Sequence, residues 1–193
     1  MQQDIHGARL RRTLLPLLLL PWLALGSGLG LAAEPTPATS PNSLMELRRH
    51  TELAIARGDY RSAEMLIETY LPAAQRLADP TWHVFNGHLI AARVKLALDK
   101  TDEAERHSME LSAIAAKAAR GGDAMERAIA EITTAQVRQK QGRAAEAAAH
   151  ARQAITILHR AHERGRITRQ TFEAELLAYE EVLIEATSEK SRR

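Results

Sequence analysis

Between Ser43 and Thr187 the apolar side chains recur at steps of three and four. One stripe runs Trp82, Phe85, Leu89, Ala92, Leu96, a second Ala144, Ala147, Ala151, Ala154, Leu158, Ala161, and a third Phe172, Leu176, Tyr179, Leu183, Ala186. Each set falls on one side of a helix with 3.6 residues per turn, and no comparable period-two alternation appears. The residues between them are mostly Ala, Glu, Arg and Gln, which are strong helix formers. The pattern predicts an all-α body.

Punctuation divides that body. Ser43-Leu44-Met45-Glu46 and Asp123-Ala124-Met125-Glu126 have the form of capping boxes, in which a small oxygen caps the first turn and a carboxylate reaches back. Asp79-Pro80 sets a cap before a proline suited to the first helical position. Gly58, Gly121-Gly122, Gly142 and Gly165 fall where helices should stop. The spacing predicts seven helices, roughly 43–57, 60–77, 80–98, 101–120, 123–141, 143–164 and 168–187. Connections this short force chain neighbours to run antiparallel.

Three of the turns resemble one another. Gly58-Asp59-Tyr60-Arg61-Ser62-Ala63-Glu64, Asp99-Lys100-Thr101-Asp102-Glu103-Ala104-Glu105 and Gly142-Arg143-Ala144-Ala145-Glu146-Ala147-Ala148 align, with an alanine five residues after each turn opens. A small side chain there lets the second helix of a pair approach the first, and stacked pairs bury the face that one hairpin leaves open. The alignment resembles the tetratricopeptide repeat, whose turn is Gly-x-Tyr-x-x-Ala. Gly58, Tyr60 and Ala63 match it fully, Ala104 alone matches in the second copy, and Gly142 and Ala147 match in the third. The period is about forty residues against the usual ~34, which suits longer-helix variants. The resemblance covers residues 44–165 and implies a short right-handed solenoid of antiparallel hairpins, capped at its C-terminal end by the helix from Thr168. An irregular helical bundle with coincident Gly-Ala turns is the alternative.

Charge and composition then bear on partners and location. The 193 residues carry 26 Lys+Arg against 24 Asp+Glu, with no cysteine and 4% aromatics. The basic excess belongs to residues 1–33, where Arg9, Arg11 and Arg12 stand against Asp4, and the rest of the chain is balanced. Nucleic-acid surfaces need a local excess of Lys and Arg, so nucleic acid is disfavoured. Lack of cysteine excludes disulfide scaffolds, thiolate metal sites and thiol catalysis.

The three arginines precede the apolar run Leu14 to Leu25 and the small residues Gly30-Leu31-Ala32-Ala33. That is the anatomy of a secretory signal peptide over 1–33. Leu10-Arg11-Arg12-Thr13-Leu14-Leu15 leaves twin-arginine export as a second route, and an uncleaved anchor is the competing reading. Pro16 and Pro21 make a poor permanent span. Residues 34–42, with Pro35, Pro37 and Pro41, form an extended linker. The helical domain occupies 43–188, and 189–193 form a flexible basic tail. The expected location is periplasmic or secreted, with no membrane contact after cleavage.

Chemistry is sparse along the body. It has no Gly-rich phosphate loop, nucleophile elbow or paired Glu-x-x-His motif, so no catalytic residue and no cofactor is assigned. His159 and His162 lie at i, i+3 beside Glu163 and are the weak metal candidates. His83 and His88 fall on different faces. Glu52, Glu64, Glu103 and Glu175 read as exposed-face charges, and Trp82, Phe85, Tyr60 and Tyr70 as core between the first two hairpins.

In tetratricopeptide-like arrays the first helix of each pair lines a groove that holds a peptide or protein segment. The resemblance places Met45, Arg48, Glu52 and Ile55 there from the first pair, and Asn86, Leu89, Arg93 and Leu96 from the second. Ile129, Ile132, Gln136 and Gln139, with Lys140 beside them, come from the third. Asn86 and the Gln pair would bond a peptide backbone, while Arg48, Arg93 and Lys140 would hold a carboxylate. The expected function is an exported, non-catalytic scaffold or adaptor for a protein partner in a bacterial cell envelope. A small periplasmic metal-binding or stress-response protein using His159 and His162 is the alternative, and an enzyme with a site assembled from distant residues is a third reading. Alanine-rich stripes bury little area, so a second copy or partner covering an apolar edge is also expected.

Overall fold

A computed structural model describes residues 41–118 and 124–190. The signal-peptide segment, nearly all of the linker, the Gly121-Gly122 stop, Asp123 and the last three residues lie outside the described part. Seven helices are present, α1 (Pro41–Ala56), α2 (Tyr60–Gln75), α3 (Thr81–Ala97), α4 (Thr101–Ala118), α5 (Ala124–Lys140), α6 (Ala144–Glu163) and α7 (Arg169–Lys190), and no strand occurs among the described residues. None of these helices is long and apolar enough to cross a membrane. Helix α1 starts at Pro41, so Pro41 and Asn42 belong to a helix rather than to the linker, and Lys190 carries α7 two residues past the expected end of the domain.

Each helix packs against its chain neighbours, and the odd-numbered ones also touch across a pair, α3 with α5 and α5 with α7. The core follows the same order. Leu44, Ile67, Tyr70, Ile90 and Val94 join α1, α2 and α3. Phe85, Leu89, Leu111, Ala115 and Ala130 join α3, α4 and α5, and Ala128, Ile132, Ala154, Leu158, Tyr179 and Val182 join α5, α6 and α7. Helix α3 therefore serves two clusters and is buried nearly all round, from Phe85 to Leu96. A single apolar stripe understates it. The expected aromatic cluster divides between clusters. Tyr70 joins the first and Phe85 the second, whereas Trp82 stays 49% exposed at the start of α3.

The aligned turns share one geometry. Gly58, Asp99 and Gly142 all take positive φ, at 74°, 58° and 74°. In each, the next residue's amide bonds back five residues, Asp59 to Ala54 at 2.9 Å, Lys100 to Lys95 at 2.8 Å and Arg143 to Arg138 at 2.8 Å. This is the Schellman closure, which satisfies carbonyls that the helix end would orphan. Gly165, at φ 65°, ends α6 in the same way. The alanines five residues on, Ala63, Ala104 and Ala147, are fully buried. Asp99 is the departure, since a Cβ in this region is crowded and glycine is favoured. Asp99→Gly is expected to raise stability by about 0.5 kcal/mol, because relief of that crowding exceeds the loss of an exposed ion pair to Lys140. Gly142→Ala is expected to lower it by about 1 kcal/mol. Urea denaturation of both variants at neutral pH checks this.

An ion network repeats beside two of these turns. Lys95, four residues before its turn residue, bonds Glu64 of the preceding pair and Glu103 of its own at 2.6 Å. Arg138 holds the same place before Gly142, bonding Glu105 of the preceding pair and approaching Glu146 of its own at 3.8 Å. The residue after the turn adds a second cation, Lys100 to Glu64 at 2.7 Å and Arg143 to Glu146 at 2.6 Å. Desolvation pulls Lys95 down, but its bonds to Glu103 and Glu64 more than offset this and leave its pKa raised. Lys100 and Lys95 hold Glu64 below the usual carboxylate range, and Lys95 does so for Glu103. Glu64 and Glu103 are thus structural partners of a buried lysine rather than plain surface charges.

Candidate functional site

The odd-numbered helices carry all the residues expected to line a groove. On α1, Arg48 pairs with Glu52 at 3.4 Å and its guanidinium sits 5.0 Å from the Trp82 ring centroid, tying α1 to the start of α3 by a cation–π contact. On α3, Asn86 donates to the carbonyl of Trp82 at 2.8 Å. Leu89 is buried in the α3–α4–α5 cluster, where it supports the face from beneath. On α5, Gln136 is half-buried, and Gln139 reaches α7 by donating to Glu185 at 2.9 Å. Lys140 is exposed and turns back to Asp99 at 2.6 Å, at the α3–α4 turn.

Arg93 is the residue around which charges gather. Its side chain keeps access to solvent, yet desolvation is the largest influence on its guanidinium and lowers its pKa. Glu175 and Tyr179 from α7 and Glu52 from α1 act on it electrostatically. No carboxylate among the described residues comes within ion-pair distance of it. Residues from α1, α3 and α7 thus converge on one place.

Glu175 and Tyr179 were not expected there. Glu175 is 3% exposed, not an exposed-face charge, and burial raises its pKa while Tyr179 and Arg93 act against that. Tyr179 is 1% exposed, and burial holds its phenol well above its ordinary range. Its hydroxyl is directed at Glu175 one turn earlier, close enough to act on the carboxylate but without full hydrogen-bond geometry to any acceptor among the described residues. The signal was present in the sequence. Glu175 lies three residues after Phe172 and four before Tyr179, on the same side as the third apolar stripe.

The histidines pair elsewhere. His162 stacks on Phe172 at 4.5 Å between centroids and His159 meets the same ring edge-on at 4.9 Å, so both serve packing between α6 and α7. Among the described residues no group of three or more His, Asp or Glu could hold a metal. His83 shares a hydrogen bond with the Tyr70 hydroxyl at 3.1 Å, and His88 Nδ1 meets His107 Nδ1 at 3.0 Å between α3 and α4. One ring donates and the other accepts, so the two rings cannot both be protonated while the bond is made.

Burial lowers both members of that pair, and His107, also repelled by His88, Lys95 and Arg106, falls to about 4. The unfolded chain takes up a proton near ~6.5, so stability is full above that pH and is lost as pH falls toward the folded value. Allowing for solvent contact, the loss between pH 7 and 5 is expected to be about 1–2 kcal/mol. The depressed carboxylates Glu64, Glu103 and Glu105 lose their contribution only at lower pH, as protonation passes through their range. Urea denaturation at both pH values, with His107→Gln removing most of the difference, checks this.

The face along the odd-numbered helices offers an accessible guanidinium at Arg93, a buried carboxyl group at Glu175, the Trp82 ring under Arg48, and amide side chains. No protein-family model, no curated protein and no solved structure matches the chain.

Proposed function

We propose that the three helix pairs and α7 form a tetratricopeptide-like array whose odd-numbered helices hold an extended segment of a protein partner. The repeated left-handed turns, the repeated ion network and the α3–α5 and α5–α7 contacts support the array. The observation that carries the binding role is Arg93, an exposed guanidinium on α3 with no carboxylate among the described residues at ion-pair distance. An accessible guanidinium forms a charge-assisted hydrogen bond with an added carboxylate or carbonyl. Gln136 would serve the partner's backbone, and Trp82 and Met45, both exposed, supply apolar area. The protein acts as a non-catalytic adaptor. The basic, apolar and small-residue segments over residues 1–33 support a role beyond the inner membrane of a bacterium, in the envelope.

Arg93→Glu is expected to weaken partner capture from envelope extracts at least tenfold, about 1.4 kcal/mol or more. The exposed α6 variant Arg152→Glu makes the same charge change and should leave capture intact. Equal recovery by wild type and both variants would remove Arg93 from the interface.

A further inference from the structure

Among the described residues four arginines are engaged by carboxylates, Arg48, Arg138, Arg143 and Arg169. Three others, which are not, converge. Arg127 on α5, Arg160 on α6 and Arg164 at the C-cap of α6 line a cavity of about 120 Å³, with Ile157 beside them. Arg160 and Arg164 stand one helical turn apart and so lie side by side, while Arg127 reaches the same space from the neighbouring helix. All three are exposed.

Carboxylates near in sequence are turned to other uses or stand clear. Glu131, one turn beyond Arg127, is held by His150 at 2.7 Å and Gln153 at 2.8 Å. Glu163, between Arg160 and Arg164 in the chain, comes within 4 Å of none of the three among the described residues. Like charges brought together without a counter-charge repel one another, and a bound anion removes that cost. The cavity is well above the roughly 10–15 Å³ that one water requires.

We propose that Arg127, Arg160 and Arg164 form a site for a phosphate group. The ligand class follows from the donors. One guanidinium saturates a carboxylate's two oxygens in a bidentate pair, whereas three guanidinia approaching from two helices match a tetrahedral ion with oxygens on several sides. The site lies at the α5–α6 interface and shares no residue with the face around Arg93. The phosphate comes from a small phosphorylated solute or from a lipid headgroup, and the chemistry at the three arginines is the same for both.

The test is calorimetric titration of the purified chain with sodium phosphate, at ionic strength held constant with sodium chloride. Wild type is expected to show saturable binding. Arg127→Gln and Arg160→Gln should each weaken it at least tenfold, Arg160→Lys should weaken it less, and Arg152→Gln should leave it unchanged. Circular dichroism spectra and melting temperatures of the variants are read alongside, and Arg160→Lys keeps the charge and the fold in place. Cosedimentation with vesicles of phosphatidylcholine containing phosphatidic acid separates the sources. Arginine-dependent pelleting that free phosphate reverses assigns the site to a headgroup, and saturable phosphate binding without pelleting assigns it to a soluble ligand. Absence of saturable binding by wild type, or equal affinity in Arg127→Gln and Arg160→Gln, overturns the proposal.

Discussion

Lys95→Ala is expected to destabilise the protein by about 3 kcal/mol, a fall in Tm of roughly 6–12 °C for a domain of this size. Lys95 is only 5% exposed, and its ammonium is shared by Glu64 and Glu103. Removing one member of a buried ion pair costs ~3–5 kcal/mol, because the remaining charge is left without compensation. The lower end applies here, since Lys100 still reaches Glu64 and Glu103 has access to water. The contribution is conditional on the partner. Lys95→Met combined with Glu64→Gln is therefore expected to lose less than the two single changes together, and the difference in a double-mutant cycle reads the coupling directly. Arg138→Ala, at the equivalent position, should cost about half as much, because both it and Glu105 are better hydrated. Denaturant unfolding at pH 7 measures all five variants. A Lys95→Ala variant as stable as wild type would mean that the repeated network contributes nothing to holding successive pairs together.

Tyr179→Ala is expected to cost about 3–5 kcal/mol, as truncation of a large buried ring leaves a cavity that its neighbours only partly fill. The ring belongs to the cluster joining α5, α6 and α7, among Ala128, Ile132, Ala151 and Leu158. Small alanines cannot move far enough to fill the space. Tyr179→Phe separates the ring from the hydroxyl. That hydroxyl has no acceptor at full geometry among the described residues, so its removal should change stability by less than ~1 kcal/mol. It should also push the Glu175 pKa further up, since Tyr179 opposes the effect of burial on that carboxyl group. Thermal unfolding and a carboxyl titration followed by NMR check the two statements. A large loss in Tyr179→Phe would show that the hydroxyl is bonded after all.

What the sequence made legible was local. Helices and their ends depend on residues three to five apart, and Gly58, Gly142 and Gly165 each stand where the backbone needs positive φ. Asp99 was readable only through its alignment with two glycines, since aspartate by itself does not demand that conformation. Contacts across pairs were harder. Lys95 and Glu64 are separated by 31 residues, and nothing near either one announces the other. Yet their offsets from the turns recur in Arg138 and Glu105, so the repeat itself held the information. Glu175 was misread by type. Its position on the apolar side of α7 carried more weight than its charge, because helical geometry fixes direction before chemistry fixes solvation. Trp82 failed in the opposite sense. It begins an apolar stripe but lies at the first turn of α3, where Arg48 of α1 covers one face and water the other. Of the expected groove residues, Arg48, Glu52, Asn86 and Arg93 came from the tetratricopeptide resemblance, carried over from the aligned turns. Glu175, Tyr179 and Glu185 enter through α7, which sequence reasoning treated only as a cap.

The adaptor reading turns on which side of the molecule meets a partner. A photo-crosslinking amino acid placed at Arg93 or Gln136, on α3 and α5, is compared with the same group at Met65 or Met109, exposed on α2 and α4. After illumination in intact cells, the first two positions should trap a discrete partner, and the second two should trap none. Equal trapping from both sets, or trapping from Met65 and Met109 alone, would contradict binding along the odd-numbered helices.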